Sequence, residues 1–213
     1  MARTGWGILI GAGMFGAVIA NLYTAGFYEI DGFGSVAGAL GLAGFMAGAA
    51  ATEEIVYRGV LFRIVEERIG TYLALALTGL VFGLSHLFNE HATLWGGLAI
   101  AIEAGFMLAA AYAATRSLWL TIGVHFGWNF AAAGIFSTEV SGNGSNRGLL
   151  DTSTSGPELL TGGAFGPEGS VYSVGFGALL TLVFLWLARR RGNIVPFGSR
   201  RTSDDETAAK LPR

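Results

Sequence analysis

The chain has 213 residues, of which 52% are hydrophobic and only 13% are charged, and its mean hydropathy is +0.54. The charged share is about half the ~25% of an average soluble domain, which argues against a soluble globular domain. The net charge of −2 leaves no basic surface for nucleic acid. Cysteine is absent, so disulfides, thiolate metal sites and a cysteine nucleophile are excluded.

Six apolar stretches approach the roughly 20 residues that a membrane-spanning helix needs. They lie at about 5–27, 35–63, 71–88, 93–114, 117–137 and 171–188. The sequence therefore predicts an all-α, polytopic membrane bundle of about six transmembrane helices, forming a single domain over residues 1–191. We expect the first stretch to be a retained span, because no small-residue cleavage site follows it.

The basic residues predict an orientation. With the N-terminus inside, eleven of the thirteen Lys and Arg residues fall in cytoplasmic segments, Arg147 alone falls in an outer loop, and Arg58 lies within a span. Because cytoplasmic loops are enriched in Lys and Arg, we expect an integral protein of the cell (plasma) membrane with both termini cytoplasmic. The outer loop at 138–170, rich in Gly, Ser and Thr, is either a mobile lid over a cavity or a plain linker. The polar tail, 192–213, is expected to be disordered.

Many of the 34 glycines stand four residues apart within the predicted spans. These pairs are Gly7 and Gly11, Gly34 and Gly38, Gly44 and Gly48, and Gly123 and Gly127. Small residues at this spacing allow helix backbones to approach closely in lipid. We favour packing between helices of one chain over a dimerisation face.

Charged and strongly polar residues within the spans are few. A charged side chain at mid-bilayer depth costs about 2.5–3.5 kcal/mol on insertion scales, so each one is a hypothesis about a functional site. They are Glu53, Glu54 and Arg58 in the second span, His86 in the third, Glu103 in the fourth, and His125 with Asn129 in the fifth. Groups at helical spacing on several helices indicate one buried polar site. Glu103 belongs to no motif; it could bond to Arg58 or a histidine, or line the cavity.

The second span supplies a candidate general base. Glu54 and Arg58 are separated by four residues and can form a pair on one helix face. Glu53 points about 100° away and is left without that partner. A carboxylate beside a histidine in a low-dielectric cavity can accept a proton from water. The alternative is a structural salt-bridge cluster.

The third and fifth spans supply candidate histidines. Phe82 and His86 share a helix face, so the aromatic ring can limit the histidine's rotamers; a hydrogen-bonded core histidine is the alternative. His125 and Asn129 also share a face and could stabilise a developing oxyanion through N–H donors. Taken alone, that pair could also be a hydrogen-bonded clasp between helices.

The ordered set of three motifs resembles the CPBP family of intramembrane endopeptidases, which includes the CAAX prenyl proteases and the bacteriocin-processing and immunity-associated (Abi-type) membrane proteins. The resemblance covers about residues 34–136, and every signature position is present: Glu53, Glu54, Arg58, Phe82, His86, His125 and Asn129. It implies an all-helical membrane protease in which Glu53, with His86, activates water. It also implies that His125 and Asn129 stabilise the tetrahedral intermediate, while Glu54 and Arg58 hold the arrangement.

A metal is left open at this stage. Glu53, His86 and His125 could provide the three protein ligands of a catalytic zinc site. The pattern lacks a helical His-Glu-x-x-His pair, however, and a carboxylate with an imidazole can activate water unaided. We favour the metal-free mechanism over one that uses a divalent metal such as zinc.

The predicted depths of the histidines disagree. At about 1.5 Å per residue, His86 lies ~22 Å from Thr71, whereas His125 lies only ~12 Å from Ser117. Extending the second helix through Arg68 would bring Glu53 level with His86. His125 would then need helix tilt or a shifted boundary.

Three functions fit these patterns. The leading hypothesis is an endopeptidase that cleaves a membrane-anchored or amphipathic peptide or protein near its C-terminus, within the lipid bilayer. A second is a non-proteolytic immunity or peptide-sequestering protein of the same fold. A third is an ion or solute carrier, which is less favoured because such proteins usually contain internal repeats or broken helices, and no repeat is found.

Overall fold

A computed structural model describes residues 2–144 and 147–198 of the chain. Within them the fold consists of eight α-helices and two short β-strands. In chain order these are α1 Ala2–Thr24, β1 Tyr28–Phe33, α2 Val36–Glu54, α3 Arg63–Ser85, α4 Leu94–Ile100, α5 Met107–Thr115, α6 Leu118–Asn129, β2 Leu150–Thr154, α7 Glu158–Thr161 and α8 Val171–Arg190.

Four helical segments of the described chain are long and apolar enough to cross a membrane: Ala2–Thr24, Val36–Phe88, Leu94–Thr115 and Val171–Arg190. The prediction of an all-α membrane bundle is therefore confirmed. The count of six spans stays a prediction, because the second segment joins two predicted stretches and the stretch at 117–137 falls outside these four.

The second segment is a helical hairpin. Its helix is interrupted at Gly70, whose φ of 78° and ψ of 167° are not helical. The Tyr57 and Phe82 rings, about equally far from Gly70 along the chain, meet with their centroids 4.9 Å apart. The two arms therefore run antiparallel and bring the second and third predicted spans side by side.

Three stretches of π-helix interrupt the α-helical segments. They are Ile55–Phe62 after α2, Ala101–Phe106 between α4 and α5, and Phe130–Ile135 after α6. Such wide turns often occur at functional sites because they redirect side chains locally. Arg58 and Glu103 lie within two of these stretches, and Asn129 immediately precedes the third.

Close packing of α1 against α6 depends on glycine. A Cβ atom added at Gly11 would lie 2.0 Å from the carbonyl oxygen of Val124, and one added at Gly7 would lie 2.4 Å from that of Leu120. Gly123 and Gly127 face α1 equally closely. The prediction of intramolecular packing is confirmed for these two pairs.

The other two glycine pairs behave differently from each other. Cβ atoms added at Gly34 and Gly38 would lie 2.5 Å from the Gly148 carbonyl oxygen and 2.1 Å from the Arg147 carbonyl oxygen, respectively, so this pair packs against the outer loop. Within the described chain, Gly44 and Gly48 have no atom within 4 Å of such a position. Intramolecular packing therefore does not account for that pair.

The predicted outer loop is folded across the bundle. Its strand β2 pairs antiparallel with β1, opposite Tyr28 to Phe33. Asn89 Nδ2 donates to the Ser141 carbonyl oxygen at 2.6 Å, and Trp95 Nε1 donates to that of Gly169 at 2.7 Å. The segment therefore has its own secondary structure and is more than a plain linker, and it closes one end of the helix bundle.

The opposite end of the bundle is closed by the start of the predicted tail. The Thr71 N–H donates to the Val195 carbonyl oxygen at 3.0 Å, and the Val195 N–H donates to Thr71 Oγ1 at 2.8 Å. A Cβ added at Gly70 would lie 2.9 Å from the Phe197 nitrogen, so the bend requires glycine for space as well as for its positive φ. Residues 199–213, the remainder of that tail, lie outside the described residues.

The close contact of α1 with α6 predicts a difference between two glycines of α1. Gly11→Ala should destabilise the protein by about 1–3 kcal/mol through overpacking against the backbone at Val124. Gly13→Ala, at a position with no atom within 4 Å among those described, should leave stability unchanged or raise it by up to about 1 kcal/mol through helix propensity. Thermal unfolding of both variants in detergent measures the difference, and equal stabilities would contradict this packing.

Candidate active site

The predicted polar residues surround one cavity of about 640 Å³ between the helices and the outer loop. Glu53, His86, His125 and Asn129 all line it. They come from α2, the turn after α3, and α6, so chain segments far apart in sequence deliver them. The convergence predicted from the sequence is therefore present in the fold.

Behind the cavity wall, Glu54 joins Arg58 and His125. Arg58 Nη1 donates to Glu54 Oε1 at 2.7 Å, and His125 Nδ1 lies 3.0 Å from the same oxygen. Because a carboxylate only accepts hydrogen bonds, Nδ1 carries the hydrogen in this contact. Glu54 thus orients the imidazole, which the sequence had not indicated.

Arg58 is satisfied on all sides. Its Nη2 donates to the carbonyl oxygens of Ala104 and Gly105, each at 3.1 Å, and its guanidinium lies 4.5 Å from the centroid of the Phe82 ring. The side chain is 2% exposed. A buried cation with an ionic partner, two carbonyls and an aromatic face has replaced most of its lost hydration.

Glu53 lies on the cavity side of the same helix. Its side chain is 36% exposed, and its Oε2 lies 3.8 Å from His125 Nε2. His125 therefore stands between two carboxylates, with Nδ1 towards buried Glu54 and Nε2 towards accessible Glu53. Glu53 and Glu54 are adjacent in the sequence but face different surroundings, because the helix turns by about 100° between them.

His86 is oriented by Phe82, as the i, i+4 spacing predicted. Its Nδ1 donates to the Phe82 carbonyl oxygen at 2.9 Å, and the two rings lie 4.9 Å apart. In the neutral imidazole this leaves Nε2 as the acceptor. Within the described chain no ion-pair contact of 4 Å or less joins His86 to Glu53, so the two share the cavity without touching.

The depth disagreement predicted for the histidines is absent from the structure. The first arm of the hairpin continues helically from Val36 to the bend at Gly70, so Glu53 and His86 both lie about 25 Å from that bend. His125 reaches the same level, since its ring contacts both Glu53 and Glu54.

Two further buried acids line the cavity. Glu103 is 1% exposed, and Arg58 bonds to the backbone that follows it rather than to its carboxylate. Of the roles predicted for Glu103, lining the cavity is the one observed. Glu168 was not predicted, because it belongs to the outer loop, where no motif drew attention to it; it accepts from Trp128 Nε1 at 2.6 Å and from Ser141 Oγ at 2.8 Å.

The positions of the acids and histidines bear on the question of a metal. No three His, Asp or Glu side chains converge closely enough to hold a metal ion anywhere in residues 2–144 and 147–198. Each histidine donates from Nδ1, His125 to Glu54 and His86 to the Phe82 carbonyl, so Nε2 of each ring is left free for the cavity. The three ligands considered from the sequence, Glu53, His86 and His125, are nevertheless not grouped around a common metal position.

An all-α membrane bundle with carboxylate, imidazole and carboxamide groups around one cavity has the groups that peptide hydrolysis requires. Residues 34–131 match the family described as type II CAAX prenyl endopeptidase Rce1-like. The matched region nearly coincides with the predicted 34–136 and contains all six candidate residues.

The chain is also similar to a curated protein. A protein of Bacillus subtilis (strain 168) that carries the provisional name membrane peptidase YdiL is 26% identical over 113 residues. The match covers 53% of this chain and 41% of that relative. No solved structure matches the chain significantly. Residues 34–131 are therefore similar to the type II CAAX prenyl endopeptidases, and the chain spans less than half of the length of the membrane peptidase relative that it matches.

The contacts of Arg58 predict a large loss of stability when it is removed. Arg58→Ala would leave Glu54 buried without its arginine partner and should destabilise the protein by about 3–5 kcal/mol. Arg63→Ala, at an exposed position on the next turn, is the matched control and should change stability by less than about 0.5 kcal/mol. Thermal unfolding in detergent is the measurement. Lost activity with unchanged stability in Arg58→Ala would instead place Arg58 in the chemistry.

Proposed function

We propose that this chain is an intramembrane endopeptidase that hydrolyses peptide bonds by a metal-free mechanism, with Glu53 as the general base. The observation that carries the proposal is the placement of His125 between Glu53 on the cavity side and the buried Glu54. An accessible carboxylate beside a fixed imidazole is a recurring arrangement for activating water.

Glu53 and His86 would activate the attacking water. Glu53 is exposed to the cavity, so water can reach its carboxylate. With His86 Nδ1 donating to the Phe82 carbonyl, Nε2 of the neutral ring is an acceptor that can hold the same water. The proton that Glu53 takes from this water would pass to the leaving nitrogen when the peptide bond breaks.

His125 and Asn129 would stabilise the tetrahedral intermediate. The cluster contains the carboxylates Glu53 and Glu54 and the cation of Arg58, so a protonated His125 would bring its charge to zero. Its Nε2–H would then be an N–H donor beside the cavity, and the Asn129 carboxamide lies one helical turn further along the same wall. Two donors of this kind suit an oxyanion.

Glu54 and Arg58 would act as positioning residues. Both are buried, and neither lines the cavity. Glu54 fixes the orientation of His125, while Arg58 neutralises Glu54 and ties α2 to the backbone at Ala104 and Gly105. Their effect on hydrolysis would come through the imidazole.

The substrate would be a membrane-anchored or amphipathic peptide or protein segment. The wall of the cavity also includes the apolar side chains of Leu42, Phe45 and Met46 of α2. A volume of about 640 Å³ lies within the roughly 300–1,000 Å³ of ordinary ligand sites and can hold a few residues of an extended peptide.

The protein would lie in the plasma membrane with both termini in the cytoplasm. This orientation places eleven of the thirteen Lys and Arg residues on the cytoplasmic side. Single cysteines introduced at Arg68 and at Thr154 should be labelled by a membrane-impermeant reagent from opposite faces, with Thr154 accessible from outside. Labelling of both from one face would contradict this orientation.

The proposed base makes a direct prediction for activity. Glu53→Gln retains the size and hydrogen-bonding reach of the side chain but removes the proton acceptor, so cleavage should fall by orders of magnitude while the protein remains folded. Asn129→Ala should slow turnover by roughly 10²–10³-fold with little change in KM. His125→Ala should do the same where thermal unfolding shows that the variant is folded.

Glu67→Gln, an exposed change of the same charge, is the control and should cleave as the native chain does. Cleavage of a membrane-protein substrate by purified protein in bilayers measures all four variants. Native activity in Glu53→Gln would eliminate the proposed base and favour a peptide-sequestering or immunity function.

The absence of a metal from the proposed mechanism is tested with a chelator. Activity should be unchanged after prolonged treatment with 1,10-phenanthroline or EDTA followed by removal of the chelator. Activity that is lost on chelation and restored by zinc would contradict the metal-free mechanism.

A further inference from the structure

The wall of the cavity carries two acidic residues, Glu103 and Glu168, that the proposed hydrolysis does not use. Three acids line it, Glu53, Glu103 and Glu168, and among its lining residues in the described chain there is no Lys or Arg. The cation behind this wall, Arg58, is already engaged by Glu54, two carbonyls and the Phe82 ring. Glu103 and Glu168 therefore have no Lys or Arg partner among the described residues that line the cavity.

Glu103 is the acid in this set without a partner of its own. Its side chain is 1% exposed, and within the described residues neither carboxylate oxygen has a hydrogen-bond partner. The Ser173 hydroxyl is the polar group within reach of Glu103, but it already donates to the Pro167 carbonyl oxygen at 2.7 Å. Glu168 differs, because Trp128 and Ser141 already donate to both of its oxygens.

The backbone packing holds Glu103 in this position. Gly177 of α8 lies directly against it, since a Cβ added at Gly177 would be 2.2 Å from the Glu103 Cα. The neighbouring carbonyls of Ala104 and Gly105 are bound by Arg58. A carboxylate that is fixed in place, buried and unpartnered on a cavity wall is suited to bind a group that enters the cavity.

We propose that Glu103, assisted by the charge of Glu168, forms a subsite for a basic side chain, Lys or Arg, of the substrate peptide. The proposal rests on the cavity being the substrate site proposed above. An ammonium or guanidinium group would supply the donors that Glu103 lacks and would reduce the repulsion between Glu103 and Glu168. Because this ion pair would form away from water, an uncharged substrate side chain of the same length should bind much more weakly than Lys or Arg.

The test measures binding without turnover. The probes are fluorescent peptides of Leu, Ala and Phe, acetylated and amidated so that they carry no terminal charge. Each contains Lys, Arg, norleucine or Glu at one position, and that position differs from one set of peptides to the next. Binding to purified Glu53→Gln protein in detergent is followed by fluorescence anisotropy. At the best position, Lys and Arg peptides should bind at least about tenfold more tightly than the norleucine peptide, and the Glu peptide more weakly still.

The preference should depend on Glu103. In the double variant Glu53→Gln/Glu103→Gln the Lys-to-norleucine ratio should fall to within about twofold. In Glu53→Gln/Glu90→Gln, which removes the same charge from an exposed position after α3, the ratio should be unchanged. An equal ratio in the Glu103 variant, or no preference for Lys in its parent, would overturn the proposal.

A second measurement uses the native chain and so does not depend on the folding of the Glu103 variant. A carbodiimide couples a bound lysine to a carboxylate in contact with it, with loss of water, and mass spectrometry locates the bond. Coupling of the Lys peptide at Glu103 or Glu168 is expected; coupling at Glu53 alone would overturn the proposal. Because neither measurement requires cleavage, failure of the protease function would be seen separately, as an inactive chain that still shows the binding preference.

Discussion

The arrangement of the bundle depends on one buried ion pair, Glu54 with Arg58. Removing a carboxylate or a guanidinium from water costs several kcal/mol per ion. Each buried ion therefore needs well-placed hydrogen-bond or ionic partners that offset this cost. Glu54 meets Arg58 and His125 through a single oxygen, and Arg58 also binds the backbone at Ala104 and Gly105. Through these contacts the pair ties α2 to α6 and to the π-helical stretch before α5. It thereby determines where His125 faces Glu53.

The rest of the structure brings backbones close enough for these contacts. The glycine pairs of α1 and α6 allow the N-terminal helix to support the helix that carries His125 and Asn129. The bend at Gly70 returns α3 beside α2, so that Phe82 contacts Arg58 and orients His86. The outer loop completes the cavity, because Glu168 and Ser141 belong to its wall. The helix packing at these few residues therefore determines how the side chains of the cavity are placed.

The helices and most of the polar site could be predicted from the sequence, because a lipid environment requires long apolar helices and makes charges within them rare. Apolar length reveals helices, and a charge within such a helix is costly enough to mark a site, which is how Glu53, His86 and His125 were recognised. The pairing of β1 with β2 could not be predicted, since its partners are more than a hundred residues apart and the register depends on tertiary contacts. Glu168 was missed for a related reason: acids are ordinary in polar loops, and only the folding of that loop over Trp128 buries this one. The bond from His125 to Glu54 likewise required knowledge of the rotation of α2 relative to α6.

The most direct test of the central claim, hydrolysis by water that Glu53 activates, uses isotopically labelled water. Purified native protein in bilayers is incubated with solubilised membrane proteins in water enriched in oxygen-18, and new C-termini are identified by mass spectrometry. New C-termini that carry one labelled oxygen are expected with the native chain and should be absent with Glu53→Gln. The same labelled termini in both samples, or none in either, would contradict a Glu53-dependent protease.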